Sequence, residues 1–486
     1  MNTLHRRWTL VAVALATFMT YLDNNIVNVA LPAMQRELHL SVAGLEWAVS
    51  AYILVFAGLL LVGGRLADAF GLRRLFLIGI TTFTLASLAA GLSSSFDLLL
   101  VSRAVQGLGA ALVTPAAFAV ISATFTDSRE RDAAVGVWSA VGALALALGP
   151  LLGGLISQHL SWGWIFLINV PVGVVTISLG AWAIPESSEA VKRRLDLPGL
   201  TTSSTALLTL TYALIEGPVR GWSSPTIVGS LAVALLAGMA FVRVETRSAD
   251  PMVKLSLFRN RVFAGGSIAL MMWAFGLFGI YFFTSLYLQN VLGFSPTMAG
   301  LAFVPMALLI AVGAIASEPV ARVIGAYRSV SVAMILMAMG IASMSLLGNH
   351  ASFLDLMPSF AAIGMGGGLT TSLNATVLGV MPSGQAGVAS GIFNASREVA
   401  GLLGITVIGG IISARQGFEQ RHGYSAATSY LSGYRFGLLV ASALVALGGL
   451  TAWSALRHSG SPTILGSAGD QGSTGHPILI PTSESA

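Results

Sequence analysis

Apolar residues in this chain fall in long unbroken blocks, and each block ends at a short polar or charged joint. A helix that crosses a bilayer needs about 20 consecutive, mostly apolar residues, because lipid offers no partner for an open backbone N–H or C=O. Blocks of about that length lie at 9–33, 46–66, 75–93, 98–124, 133–158, 163–184, 198–215, 225–243, 263–287, 297–317, 329–347, 354–380, 387–412 and 435–456. The pattern predicts fourteen membrane-spanning helices and no strands. The block at 198–215 is the weakest, being short and rich in Ser and Thr. The first block follows Arg6 and Arg7 as a signal peptide would, but its apolar run is too long and lacks a cleavage site, so it reads as a retained span.

Composition narrows the class further. Of 486 residues, 55% are apolar and 9% charged, against roughly a quarter charged in soluble domains. A soluble enzyme, a disordered chain and a nucleic-acid partner are excluded together. Cys is absent, which removes disulfides, thiolate metal sites and Fe–S clusters. The seven His are scattered without metal-ligand spacing, and no phosphate-binding Gly-rich loop with its Lys is present. No metal, no cofactor and no ATP drive are therefore expected.

The net charge of +5 is explained by where the basic residues sit. With the N-terminus inside, eighteen Lys and Arg fall at cytoplasmic joints and five at outer ones, with Arg103 and Arg397 inside spans. That asymmetry sets orientation and requires an even number of crossings, with both termini cytoplasmic. The excess of Arg over Lys suggests a high-GC bacterium, hence a multi-pass protein of a bacterial inner membrane.

Polar joints divide the chain into an N-terminal six-helix bundle (1–185), a linker with two additional helices (186–254), a C-terminal six-helix bundle (255–456) and a disordered cytoplasmic tail (457–486). The two halves echo each other. Gly64-Arg-Leu-Ala-Asp68-Ala-Phe-Gly71-Leu-Arg73-Arg74 follows the second span, and Glu318-Pro-Val-Ala-Arg322-Val-Ile-Gly325-Ala-Tyr-Arg328 follows the tenth. Repeated bundles about an axis along the membrane normal are a transporter design.

The motifs make the resemblance specific. Gly64 to Arg74 resembles the loop signature of the major facilitator superfamily, departing from it at Ala69 and Leu72. Arg103-Ala-Val-Gln106-Gly107-Leu-Gly109 resembles that family's intramembrane Arg motif. Gly136 with Gly149-Pro150-Leu-Leu-Gly153-Gly154 resembles the motif of its drug antiporters, with Ala145 where a further glycine is usual. Leu22-Asp23-Asn-Asn25-Ile-Val-Asn28-Val-Ala-Leu-Pro32 is similar to the first-span signature of the fourteen-helix drug:proton antiporter branch, with Asn25 in place of Thr. Trp164 to Pro171 and Tyr287 to Pro296 are also typical of that branch. The resemblance implies the major facilitator fold and exchange of small amphipathic drug-like molecules for protons, driven by the proton motive force and working as a monomer in lipid. A metabolite or siderophore transporter on the same fold is the alternative. A membrane enzyme or sensor would need a polar cluster at one depth, which the sequence lacks.

Candidate residues follow from depth and chemistry. At 1.5 Å per residue, Asp23 lies roughly 21 Å above the inner end of its span and Arg103 roughly 9 Å below the outer end of its own. In a core of about 30 Å the two share a depth, so an ion pair is possible if their helices are neighbours, and intramembrane charges are functional by default. Asp23 and Arg103 are the expected proton-coupling pair, with Asp23 the only acid placed deep in the first half. Arg397, Asn28 and Asn394 are candidates for the substrate pathway. Adjacent residues do not share a helix face, so one of Arg397 and Glu398 is expected to find another partner or to snorkel. Gly149, Pro150, Gly153 and Gly154 are expected to act as a hinge or a close-packing seam, and Gly64, Asp68, Gly71, Arg73 and Arg74 as a cytoplasmic latch. Phe18, Met19, Met271, Met272, Trp273 and Tyr281 are the expected cavity lining.

Overall fold

A computed structural model describes residues 3–186, 196–248, 251–381 and 386–457, with the backbone alone at 68, 69, 128, 386 and 387. Its helices are α1 (Thr3–Glu37), α2 (Val42–Phe70), α3 (Leu72–Gly91), α4 (Phe96–Thr124), α5 (Ser128–His159), α6 (Trp164–Leu167), α7 (Asn169–Ala183), α8 (Leu197–Arg220), α9 (Pro225–Arg247), α10 (Arg261–Leu286), α11 (Pro296–Ile324), α12 (Ala326–Met344), α13 (Phe353–Leu369), α14 (Ser372–Gly379), α15 (Ala386–Arg421) and α16 (Ala426–Leu456). Sixteen helices make fourteen crossings, because α6 and α7 share one and α13 and α14 another. Pro171 cannot donate to the Leu167 carbonyl, which helps break the first of these, and Gly366–Gly368 precedes the break at Thr370 in the second. Among the described residues twelve of these crossings are helical spans long and apolar enough to cross a membrane, α6 and α7 counting together as one. The other two crossings are the Ser/Thr-rich α8 and the broken α13–α14.

Helix ends follow from local chemistry. Six of the seven crossings that begin at the outer surface start on a serine: the side chains of Ser41, Ser95, Ser224, Ser295 and Ser425 each accept a backbone N–H of the first turn, and Ser352 starts α13 in a capping box with Asp355; α6 starts on Gly163. At the inner surface, Gly71 (φ 91°) joins α2 to α3 and Gly325 (φ 88°) joins α11 to α12. Each donates its N–H to the helix just ended, at the Ala67 and Ala321 carbonyls respectively. Left-handed backbone of this kind costs glycine least. The echo between the halves is thus the same hairpin built twice.

The packing repeats in full. In the first half α1 lies against α5 and α7, α4 against α2 and α3, and α3 against α7. In the second, α10 lies against α15 and α16, α13 against α11 and α12, and α12 against α16. The halves meet where α5 packs on α11, α2 on α15 and α1 on α10, while α8 pairs with α9 and also touches α2 and α15. Leu231, Val233, Leu235 and Leu236 of α9 are exposed, as a lipid-facing helix requires.

The boundaries that differ most from the pattern are the end of α15, which runs on to Arg421 instead of 412, and the start of α16. The last span starts at Ala426 instead of 435, because its first turns are polar in sequence yet pack inward at Ser429 and Tyr430. Arg435, read as an outer-loop residue, therefore lies within α16 and donates to the Leu347 carbonyl at 2.9 and 3.2 Å. Residues 187–195, including Lys192 to Arg194 of the expected linker, and the tail beyond 457 lie outside the described residues.

Candidate functional site

A cavity of about 1020 Å³ opens between the two bundles. Thr20, Tyr21, Asn24, Asn25 and Asn28 supply one wall from α1, and Trp273, Leu277 and Tyr281, four residues apart on α10, supply the facing one. Val388, Gly391, Asn394, Arg397 and Glu398 of α15 complete it. Its lining continues to Gly64, Arg65, Pro251, Met252 and Lys254, residues at the end of the molecule that the charge bias assigns to the cytoplasm.

The opposite end is shut. A Cβ added at Gly153 would meet the Ile26 carbonyl oxygen of α1 at 2.5 Å, and one at Gly154 would strike the Pro296 carbonyl oxygen of α11. Gln158 accepts the Thr297 N–H at 3.0 Å, and Gln289 donates to the Val29 carbonyl at 2.9 Å. The molecule is inward-open. Gly149 packs on Asn25 of α1, and the Pro150 carbonyl lies against Gly300, so the glycine motif is a three-helix seam at the outer closure.

Asp23 and Arg103 meet as their depths predict. Arg103 Nη1 lies 2.5 Å from Asp23 Oδ2, and both side chains are shut from solvent, at 1% and 0% exposed. The second carboxylate oxygen accepts from Gln106 Nε2 at 3.0 Å and Asn169 Nδ2 at 3.2 Å. Gln106 also accepts from Arg103 at 2.8 Å and donates to Ser87 Oγ at 2.8 Å. Arg103 Nε donates to the Ala48 carbonyl at 3.0 Å, and the guanidinium lies over Tyr52 at 4.6 Å and Phe166 at 5.4 Å. One buried ion pair thereby ties α1, α2, α3, α4, α6 and α7 together. Neither Asp23 nor Arg103 lines the cavity; Tyr52 does, with the guanidinium against its face.

Other expectations are corrected. Arg397 and Glu398, expected to part, pair with each other: Arg397 Nε and Nη2 donate to Glu398 Oε1 at 3.0 and 2.5 Å. Both border the same cavity, and their long side chains fold together across its edge. Glu398 is only 2% exposed, and its Oε2 has no hydrogen-bond partner among the described residues. Phe18, Met19, Met271 and Met272 are not among the lining residues, because the α1 and α10 faces that meet the cavity are those of Asn24 and Trp273; Met19 is a core residue. Asn28 and Asn394 line the cavity as expected.

In the latch region, Arg73 donates to the Ala181 carbonyl and Arg74 pairs with Glu186 at 3.4 Å on the surface. The first contact stays within the N-terminal bundle, and the second reaches only the first residue of the linker; neither touches the C-terminal bundle. Arg65 instead reaches across to the Pro251 carbonyl at 2.5 Å. The side chain of Asp68 lies outside the described residues. Gly64 borders the cavity mouth, with Pro115 Cβ 4.0 Å from a Cβ built there; the close helix contact falls at Gly63, where a Cβ would strike the Ala111 carbonyl.

The sequence reading also missed Glu46, a second buried acid in the first half, 2% exposed with Oε2 lacking a hydrogen-bond partner among the described residues. Its carboxylate lies where a Cβ at Gly409 of α15 would be. It opens the predicted 46–66 block, so its position reads as interfacial. Gln106 carried a signal, as part of the intramembrane Arg motif three residues from Arg103, the spacing of one helix face.

Comparison with known proteins bears on what this arrangement does. The model of the Major Facilitator Superfamily matches residues 13–405. The puromycin resistance protein pur8 of Streptomyces alboniger is 35% identical over 92% of this chain and 91% of its own. The multidrug resistance protein Stp of Mycobacterium tuberculosis is 35% identical over 84% of this chain and 76% of its own. Among solved structures, a bacterial homologue of the human lysosomal transporter Spinster, in an inward-facing and unoccupied conformation, superposes with a TM-score of 0.66 at 16% identity, covering 94% of this chain and 98% of that one. At that identity the likeness concerns the fold.

Proposed function

The chain belongs to the major facilitator superfamily, and from that premise we propose that it exports small drug-like molecules from the cytoplasm in exchange for protons, by alternating access. The observation that carries this reading is the placement of Asp23 beside the cavity on the same helix. Asn24 and Asn25 face the cavity, while Asp23 faces the bundle interior and holds Arg103. A change at either side of α1 is felt at the other.

The resistance and multidrug names of the relatives support drug-like substrates, and their bacterial sources support a bacterial inner membrane. A cavity complete within one chain supports a monomer in lipid. The ion pair is the arrangement of an Asp23 that has given up its proton to the inner side. When the outer end opens, protonation removes the charge that Arg103 neutralises, and the bonds of Arg103 to α1 are released while those to Ala48 and Gln106 remain. The α1–α4 contact then resets, and the cavity exchanges its contents outside. A proton drive of about 200 mV is worth roughly 4.6 kcal/mol per charge, enough for roughly a thousandfold gradient of a neutral substrate.

The test is uptake by everted vesicles over a panel of antibiotics and dyes. Accumulation that collapses on adding a protonophore is expected for at least one neutral or cationic compound. Accumulation that survives the protonophore, or none across the panel, contradicts the proposal.

A further inference from the structure

Glu46 stands at the outer roof of the cavity, in surroundings that do not suit a carboxylate. Val49 and Ile53 of α2 line the cavity, as does Ile405 of α15. Because α2 runs inward and α15 outward, Glu46, three residues before Val49, and Gly409, four after Ile405, continue those faces one turn further out. There the Glu46 side chain crosses from one bundle to the other: a Cβ built at Gly409 would lie 2.5 Å from its carboxyl carbon. Glu46 is 2% exposed, its Oε2 has no hydrogen-bond partner, and no cation pairs with it among the described residues. The titratable groups within its electrostatic reach are Glu216 of α8 and Tyr430 of α16. Glu216 is itself an acid, and already accepts from Trp47 Nε1 at 3.2 Å and from Arg220 Nε at 3.0 Å. Tyr430 gives its O–H to the Phe283 carbonyl at 3.0 Å, and α15 presents only a glycine. An ionised Glu46 would be out of water and unpaired, the costliest state for such a group, and a bound proton removes that cost.

We propose that Glu46 is a second proton site, filled when α2 and α15 close the outer end and emptied when they part. This rests on the alternating-access reading, in which the two bundles separate at that end and uncover the carboxyl. Its proton comes from the outer solution and returns there, so it is not carried across and leaves the exchange at Asp23 unchanged. It acts on the gate. The closed seam binds one proton more than the open one, so closure is favoured at low external pH and loses that advantage as the pH rises. One proton of difference changes the open-to-closed ratio by up to about tenfold per pH unit.

Infrared difference spectroscopy on the purified full-length protein at neutral pH reads the proton directly. Wild type minus Glu46→Gln should show the C=O stretch of a protonated carboxylic acid, shifted in D₂O. Gln keeps the shape of Glu and Oε2 has no bond to lose, so folding is preserved. The gate is read from distances between spin labels on Ala43→Cys of α2 and Ala414→Cys of α15, in a chain with no other Cys. As the pH rises, the longer, open distance should gain on the shorter one severalfold per pH unit, up to the tenfold limit. That response should appear with Asp23 native and with Asp23→Asn alike. Glu46→Gln should abolish it and hold the closed distance throughout. A missing carboxylic acid band, a distance ratio that ignores pH, a response that needs Asp23, or one that persists in the Gln variant each overturns the proposal. If the band and the response hold while energised vesicles take up none of the panel, the export reading fails and this one stands.

Discussion

At the scale of the residue, the account turns on how Asp23 and Arg103 are held. Their shared depth is legible from counting along two spans, and the structure puts them 2.5 Å apart. Gln106 is legible too, three residues from Arg103 on α4, but what counting could not supply is the rest of the shell: Asn169, Ser87 and the Ala48 carbonyl come from three other helices, and no periodicity relates positions on separate helices. That shell makes Arg103 structural as well as functional. Removing one member of a buried ion pair costs about 3–5 kcal/mol, because the other charge stays buried. Arg103→Ala is therefore expected to lower the midpoint of thermal unfolding in detergent by several degrees and to abolish export. An unchanged midpoint would show that the pair does not tie the bundle. Gln106→Leu, which removes one bond to Asp23 and one to Arg103, should lower the midpoint by a smaller amount. The pairing of Arg397 with Glu398 was hidden for a different reason: helix-face geometry places Cβ atoms, while long side chains at the rim of a cavity can meet beyond them.

At the scale of the element, the glycines of α5 sort by what surrounds them. Spacing and resemblance single out Gly136, Gly149, Gly153 and Gly154 alike, but a Cβ at Gly136 meets nothing within 4 Å, whereas one at Gly153 meets α1 backbone. Only backbone from another helix can make a glycine irreplaceable here, and which helix lies opposite is a fact of tertiary packing. Gly136→Leu is expected to keep wild-type export. Gly153→Leu is expected to cut export at least tenfold with an insertion level within about twofold of wild type, since a bulky side chain holds the outer seam apart. Equal export by the two variants, at equal amounts in the membrane, would remove the seam from the mechanism. Most element boundaries were legible to within a few residues of the ends of the apolar blocks. They slipped at the ends of α11 and α15 and at the start of α16, where helices run on through polar and charged residues.

At the scale of the whole molecule, two bundles with one packing scheme enclose a cavity closed outside where α5 meets α1 and α11 and open inside. The repeat was legible at the Gly71 and Gly325 hairpins; the state of the gates was not, since one sequence must build both states. The chain contains no Cys, so introduced pairs report cleanly. Gln158→Cys with Thr297→Cys, joined by a short bifunctional thiol reagent, should lock the outer seam and stop export, with recovery when a cleavable linker is reduced. Export that continues through the cross-link would mean that the α5–α11 seam need not part. The central claim is that Asp23 carries the exchanged proton, and substrate-induced proton release from energised everted vesicles measures it, run beside equilibrium binding of the same neutral compound. Asp23→Asn keeps shape and polarity but cannot titrate. The account predicts that this variant loses proton release while retaining binding within about tenfold of wild type, whereas undiminished proton release would place the coupling elsewhere.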